Sequence, residues 1–382
     1  MNGAKRGRRK LILLIIEIAI AAVLIAGLVM FSKLNKIETT TLNKENIKVN
    51  EINEETLESF TGYTTIALFG LDNREQNSLE NGNSDLIMVL AMNNDTKEIN
   101  IVSVYRDTYL DVGEDSTDFR KCNAAYAYGG YERAINMLNK NLDLSVDSYV
   151  SFDFSAVANA IDILGGVDIE IESEEELGYL NKYIKHTNGI LKKKSKTIKK
   201  TGMKTLDGVQ AVAYARIRYT SGGDYKRAQR QRIVLAAMMK KMKSANLAQL
   251  NEIVDTVFPE IQTSLSRKDL ITMARVMLTY DMSNSRGFPF YRSAVTLGSK
   301  GSCVVPCDLE TNVSELQKIL YGNKDYKPSK TVQEYNDIII NQTGLTADSA
   351  AHDDFEKGDN EPDEPEQSED EDADGEDASD EA

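Results

Sequence analysis

The clearest pattern along the chain is an apolar run near its start. Residues Leu11 to Phe31 are apolar but for Glu17, and Lys5, Arg6, Arg8, Arg9 and Lys10 precede them. At about 1.5 Å per residue such a run crosses the roughly 30 Å hydrocarbon layer. It is longer than the h-region of a cleaved signal, about 7–15 residues. The basic cluster predicts a cytoplasmic tail over 1–10, a transmembrane helix over 11–31, and everything after it outside the cell. Residues 32–60 are polar and weakly periodic and read as an extracellular stalk. Short apolar runs follow, each bounded by turn residues. Thr64–Gly70, Asp85–Met92, Glu98–Tyr105, Ser148–Phe152 and Val167–Glu172 predict strands. The Asn93–Thr96 stretch predicts a hairpin turn between the second and third. Helical spacing covers Asp153–Leu164 up to Gly165 and Gly166, then Leu206–Arg216, Asp224–Met242, Asn246–Val257, Ser266–Tyr280 and Glu310–Tyr321. Phe288–Val295 reads as a late strand, and the lysine-rich stretch 173–204 as a long polar excursion. Loose alternation of strands and helices predicts an α/β fold: a three-layer α/β/α domain with a mixed central sheet over 61–325. Residues 326–382 read as a C-terminal extension with a disordered acidic tail.

Charge changes this picture less than it first suggests. The formal net charge of the 382 residues is −15, but Asp353 to Ala382 holds 17 acidic residues against one lysine. The rest of the chain is close to neutral, so the acidic balance says nothing about a ligand. No basic patch interleaved with aromatics appears, which argues against nucleic acid. An external location removes ATP, NAD and the cytosolic nucleotide pool as substrates. Three cysteines, Cys122, Cys303 and Cys307, cannot all pair within the chain, and Cys303 and Cys307 could bond only if the chain turns between them. With His186 and His352 the only imidazoles, a zinc site is disfavoured.

The chemistry concentrates at strand and helix ends. The sequence holds no Gly-x-Ser-x-Gly elbow, no GxxxxGK loop and no His-Glu-x-x-His. Instead Asp72 and Arg74 follow the first strand, Asp85 opens the second, and Arg106 and Asp107 follow the third. Arg216 and Arg218 end one helix, and Asp224, Arg227, Arg230, Gln231 and Arg232 begin the next. Arg227 and Gln231 are spaced i, i+4 and share a face. Arg216 and Arg218 can reach one site only if the helix has ended and the chain is extended there. Strand-end carboxylates suit Mg²⁺, which takes one or two carboxylates plus phosphate oxygens. Arginines give planar, bidentate recognition of phosphate and keep their charge at any relevant pH. Together they point to a pyrophosphate–Mg²⁺ site that works electrostatically, with no residue placed as an activated nucleophile.

Several strings together resemble the LytR–CpsA–Psr family. They are IALFGLDNR, NSDLIMVL and IVSVYRDTYL between Ile66 and Leu110, KCNAAYAYGG at Lys121–Gly130, DILGGVDIEI at Asp162–Ile171, and LDGVQAVAYARIR followed by DYKRAQRQR. The resemblance runs from about Thr64 to Lys241. It implies a phosphotransferase that takes a glycopolymer, such as teichoic acid or capsule, from undecaprenyl pyrophosphate. The polymer is joined to peptidoglycan as a phosphodiester, and the lipid sits in an apolar tunnel between sheet and helices. Carried onto this sequence, Asp72 and Asp85 hold Mg²⁺, with Mn²⁺ as the alternative ion. Arg106, Arg216 and Arg218 bind phosphates, Arg227, Gln231 and the weaker Arg74 complete the pocket, and Asp224 positions it or assists proton removal. The sequence departs from the family at Asn83, where an arginine is usual, and at Tyr105, where proline is usual.

Two other readings share these residues. A hydrolase would use the same site with water as acceptor, which a closed pocket would favour and an open groove would not. A non-catalytic lipid- or glycan-binding scaffold would show no metal dependence. The roughly ten expected cytoplasmic residues, too few for a helix-turn-helix, argue against direct DNA binding.

Overall fold

The strands alternate because their side chains face two different surroundings. The computed structural model describes residues 38–39, 42, 45–52, 54–71, 79–80, 82–146, 148–220, 222–266 and 277–350. The expected transmembrane run, the acidic tail, Asp72 and Arg74 lie outside those residues. The first elements are β1 (Glu38–Thr39), α1 (Glu54–Phe60), β2 (Tyr63–Leu71), β3 (Ser84–Asn93) and β4 (Glu98–Val104). A hairpin of β5 (Tyr109–Asp111) and β6 (Phe119–Lys121) leads to α2 (Ala124–Leu142), β7 (Ser148–Asp153) and α3 (Phe154–Ile163). Next come β8 (Val167–Ile171), α4 (Glu174–Leu191), β9 (Gly202–Leu206), α5 (Gly208–Ala215), α6 (Gly223–Met242) and α7 (Leu247–Thr256). The chain continues with β10 (Ile261–Thr263), β11 (Asp281–Phe288), β12 (Arg292–Thr296), β13 (Ser302–Pro306), α8 (Leu309–Tyr321) and α9 (Lys330–Thr343).

Among the described residues the central sheet has seven strands in the order β1-β10-β7-β2-β3-β4-β11. It is mixed: β2, β3 and β4 are antiparallel neighbours, while β7 runs parallel to β2 and β11 parallel to β4. Ala67, Phe69, Ile87, Val89, Ala91 and Val102 project to one face, against α2, α8 and α9. Ile66, Met88, Leu90, Met92, Ile99 and Ile101 project to the other, toward α6. This is the period of two that a strand imposes. Burying both faces makes the three layers that the alternation of elements predicts. A second cluster outside the sheet joins α4 and the antiparallel β8–β9 pair to α5 through Ile169, Leu180, Ile184 and Tyr214.

Three expectations change. The stretch 173–204 is not a polar excursion. Ser173 caps α4 by accepting from the Glu176 N–H at 3.1 Å, Leu177, Leu180 and Ile184 form its buried stripe, and β9 follows. The late strand Phe288–Val295 is two strands. Pro289 cannot continue the ladder, and the Asn312 side chain accepts from the Phe290 and Tyr291 N–H groups at 2.7 and 3.0 Å, turning the chain into β12. Past residue 325, α9 packs Val332 and Ile339 into the same core as α2 and α8. Of Ser266–Tyr280, residues 267–276 lie outside the described set, and Met277–Thr279 is a 3₁₀ turn. Cys303 and Cys307 are free and buried; the chain between them is the extended β13, not a turn.

Candidate functional site

Between the second face of the sheet and helices α3, α5 and α6 lies an apolar cleft, open at one end, with a cavity volume of about 200 Å³. Its floor is Leu68, Leu86 and Met88, and its walls include Ala160, Val212 and Val234. The walls stand where they do for local reasons. Asp153 caps α3 by accepting from the Ala156 N–H at 2.9 Å. Asp207 and Gln210 form a capping box at the start of α5. A Cβ on Gly208 would stand 2.1 Å from the Ala158 carbonyl oxygen, so only glycine lets α5 start against α3.

One end of the cleft closes on charge. In the β2–β3 ladder Gly70 pairs with Leu86 and Leu71 with Ser84, which leaves Asp85 as the extra residue of a bulge. Strict alternation would send Asp85 to the packed face with Ile87; the bulge turns it to the cleft mouth, where it lines both the apolar cleft and the polar pocket beyond it. Its Oδ1 accepts from Arg106 at 3.0 Å, and its Oδ2 faces Arg227 at 3.0 Å and Arg218 at 3.4 Å. Asp224 accepts from Arg106 at 3.1 Å and lies 3.6 Å from Arg218 and 3.7 Å from Arg227. Burial alone would lift the Asp85 carboxyl, but the Arg227, Arg106 and Arg218 charges outweigh it and hold the group below the usual carboxylate range. Asp224 behaves the same way: burial opposes, and Arg106, Arg227 and Arg218 prevail. Arg227 is 3% exposed, and its Nε has no partner among the described residues. A buried donor of that kind is costly until an acceptor reaches it.

The arginines are held from behind. The Thr108 N–H bonds the Tyr105 carbonyl at 2.9 Å, and the Asn123 N–H bonds the Arg106 carbonyl at 3.1 Å, which fixes the turn after β4. Tyr105 is buried beside Tyr225, with ring centroids 4.8 Å apart and Arg292 stacked on both. Arg230 ties three segments together. It pairs with Glu176 of α4 at 2.8 Å, and it donates to Thr220 Oγ1 at 2.9 Å and to the Ile217 carbonyl at 3.4 Å. The 217–220 turn that carries Arg218 is thereby anchored to α4 and α6.

Of the residues singled out by sequence, Asp85, Arg106, Arg218, Asp224 and Arg227 meet in one cluster. Gln231 lies a helical turn beyond Arg227 and lines both the cleft and the charged end. Helix α5 has ended at Ala215, and Arg216 and Arg218 line the same polar pocket, although Arg216 sits at φ −99°, ψ −6° and is not extended. Arg216 donates to Thr187 at 3.1 Å, lies 3.4 Å from His186 Nδ1 and packs over Phe154. Asn83 is exposed just before β3. His186 falls in the stretch 173–204 that the sequence pattern reads as a polar excursion. On α4 it forms a stripe with Tyr179, Lys182 and Tyr183 along the polar pocket. The signal was available in the Ser173 cap and the i, i+3, i+7 spacing of Leu177, Leu180 and Ile184. Asp107, paired with Lys121 at 3.0 Å, is a further carboxylate at the charged end.

A divalent cation fits this donor set in a limited way. Asp85 and Asp224 offer hard oxygens, but among the described residues no group of three or more acidic, histidine or cysteine side chains forms an all-protein cage. A cation held by one or two carboxylates and completed by phosphate oxygens suits such a site.

The sequence matches the LytR_cpsA_psr family over residues 25–286, and the chain belongs to this family. It is 30% identical over 239 residues to the polyisoprenyl-teichoic acid–peptidoglycan teichoic acid transferase TagU of Enterococcus faecalis, covering 62% of this chain and 70% of that protein. It is 31% identical over 210 residues to the transferase of the same description, TagT, of Bacillus subtilis, covering 54% of this chain and 62% of that one. The fold is shared with the family protein YwtF (TagT) solved with bound octaprenyl pyrophosphate lipid, at a TM-score of 0.51 and 22% identity over 80% of this chain and all of that one.

Proposed function

We propose that the protein transfers a glycopolymer from a polyprenyl-pyrophosphate carrier to peptidoglycan, forming a phosphodiester outside the membrane to which the 11–31 segment anchors it. The observation that carries this reading is the continuity of the apolar cleft with the arginine cluster at Asp85. A polyprenyl chain fits the cleft, and a pyrophosphate meets Arg106, Arg218 and Arg227 where the apolar walls stop. The names of the teichoic acid transferases, and the prenyl pyrophosphate bound by a relative of the same fold, support the same assignment.

In this reading an acceptor sugar hydroxyl attacks the sugar-bearing phosphorus in line. The new O–P bond forms as the bridging P–O bond breaks, and polyprenyl monophosphate leaves with the bridging oxygen. The arginines neutralise charge that builds on the phosphoryl oxygens and the leaving phosphate, an effect worth most in a site shielded from water. Asp85 orients three of those guanidinium groups. Asp224, held low by its arginine neighbours, is a weak base and serves as a positioning residue; the hydroxyl proton passes to solvent. Mg²⁺, or Mn²⁺ in its place, would be held by Asp85 with Asp224 or the expected Asp72 as second carboxylate, and would supply further neutralisation of the pyrophosphate when bound. The polar pocket beyond the cleft is open to solvent, with a cavity volume of about 450 Å³, room for a sugar ring, which favours a glycan acceptor over water.

The test is release of polyprenyl monophosphate from a polyprenyl-pyrophosphoryl saccharide, with and without peptidoglycan glycan and with and without Mg²⁺. Asp85→Ala and Arg106→Ala are each expected to lower the rate by about 10²–10³, the size of losing one aligned electrostatic contact. Release that ignores both substitutions would remove the proposed site. Release at full rate without glycan would favour the hydrolase reading.

A further inference from the structure

The polar pocket outside the charged end has a feature that phosphate binding does not use. Tyr179, Lys182, Tyr183 and His186 recur at i, i+3, i+4 and i+7 on α4, so one stripe of that helix faces the pocket. Tyr219, on the turn between α5 and α6, joins them from a separate segment; its ring centroid is 6.1 Å from that of Tyr179, tilted by 32°. The Lys182 ammonium lies 4.8 Å from the Tyr179 ring centroid. Tyr219 is 70% exposed, although its neighbours Ile217 and Thr220 are both bound by Arg230. The backbone is thus held in place while the ring is left in solvent. Tyr179 leans on the α4–α5 core along one side, but Tyr219 belongs to no buried cluster, and core packing does not account for its ring being brought beside Tyr179 at the lip of the pocket.

We infer that Tyr179 and Tyr219 form a shelf for a pyranose ring, resting on the functional reading above. Pyranoses present an apolar face of C–H groups and a rim of hydroxyls. Tyrosine rings offer a flat, amphipathic surface for the first at small entropic cost, and Lys182, His186 and the tyrosine hydroxyls offer donors and acceptors for the second. The position fits as well. Arg216 and Arg218 line the same pocket, so a sugar on the shelf lies beside the phosphates and away from the apolar cleft. The ring held could be that of the donor, next to the pyrophosphate, or that of the acceptor. The shelf chemistry is common to both.

The experiment uses the full-length protein in detergent with three probes: bare polyprenyl pyrophosphate, the same lipid carrying N-acetylglucosamine, and a peptidoglycan glycan tetrasaccharide as acceptor. Tyr219→Ala and Tyr179→Ala are compared with Tyr219→Trp, which keeps a stacking face. If the donor sugar rests on the shelf, the preference for saccharide-bearing over bare lipid falls about tenfold in the alanine variants, a loss of about 1.4 kcal/mol, and the tryptophan variant restores it. If the acceptor rests there, the KM for the tetrasaccharide rises by about the same factor with the same rescue. A parent that binds the bare lipid, with alanine variants that alter neither saccharide quantity, would overturn the shelf alone. A parent that binds no polyprenyl pyrophosphate would overturn the functional reading and the shelf with it.

Discussion

The two faces of the central sheet are built by alternate residues of the same strands, yet they end differently. On one face Phe69, Ile87, Val89 and Val102 meet α2, α8 and α9 in a filled core. On the other, Leu68, Leu86 and Met88 meet α3, α5 and α6 across the apolar cleft. Protein interiors normally pack to crystal density, so an unfilled apolar space of this size has a use or a cost. The filled face carries stability; the open face trades packing for an occupant. The largest effects should separate the two. Phe69→Ala, which empties a fully buried ring site packed against Tyr126 at 5.3 Å, is expected to destabilise by about 3–5 kcal/mol in urea unfolding. A shift below about 1 kcal/mol would mean that the packed face is not the structural one.

The mouth of the open face depends on one buried ion pair. Glu176 and Arg230 are both buried, 2.8 Å apart, and join α4 to α6 and to the Arg218 turn. Removing one partner of such a pair leaves an uncompensated buried charge, so Glu176→Gln should cost about 3 kcal/mol. The same change should slow lipid monophosphate release beyond what the stability loss explains, because Arg218 loses its anchor. Normal release from a destabilised variant would confine the pair to folding.

Filling the open face should do the reverse of emptying the packed one. Ala160 lines the cleft wall on α3. Ala160→Phe is expected to shift stability by less than about 1 kcal/mol, well under the usual penalty for overpacking a closed core. Affinity for long-chain polyprenyl pyrophosphate should fall about tenfold, equivalent to about 1.4 kcal/mol, and affinity for a short-chain analogue should fall less. Equal losses for both chain lengths would show that the prenyl chain lies elsewhere.

Much of this contrast could be read in the chain. The short apolar runs Thr64–Gly70 and Asp85–Met92 marked strands, and the clustering of Asp and Arg at their ends marked the site. Three features resisted. In α2 the pattern is broken by Asn136, Asn139 and Asn141, which sit in the core because backbone groups satisfy them. Asn139 accepts from the Val146 N–H at 2.9 Å, and Asn141 accepts from the Asp111 N–H at 2.9 Å. Gly129 and Gly130 inside it depart from helical angles as well. In α4 the flanking lysines dilute a sound cap and apolar stripe. The convergence of Asp85 with Arg227, 142 residues later, follows from a bulge and a helix crossing that no local pattern contains.

Acid sharpens the comparison last and least, because its effect is absent at neutral pH. Asp111, on the packed face, is buried and accepts from Lys140 at 2.6 Å, from the Gly113 and Asp118 N–H groups at 3.0 and 2.6 Å, and from the Tyr335 hydroxyl at 2.8 Å. Burial would raise its carboxyl, but the Lys140 contact and the two backbone donors override it and hold the group below the usual range. A carboxyl that is lower in the folded than in the unfolded state, where it titrates near about 3.9, stabilises fully above that value. It loses that contribution as pH falls through the folded value. Asp111→Asn should therefore lower stability by about 1.5–3 kcal/mol at pH 7, the range for hydrogen bonds to a charged group. The gap to the parent should hold down to about pH 5 and close below about pH 4, as protonation removes the same charge from the parent. Urea titrations at pH 7, 5 and 3 would check this. A gap of constant size would mean that the amide loses packing or geometry rather than charge, and that Asp111 fastens α9 to the packed face without acting as an ion.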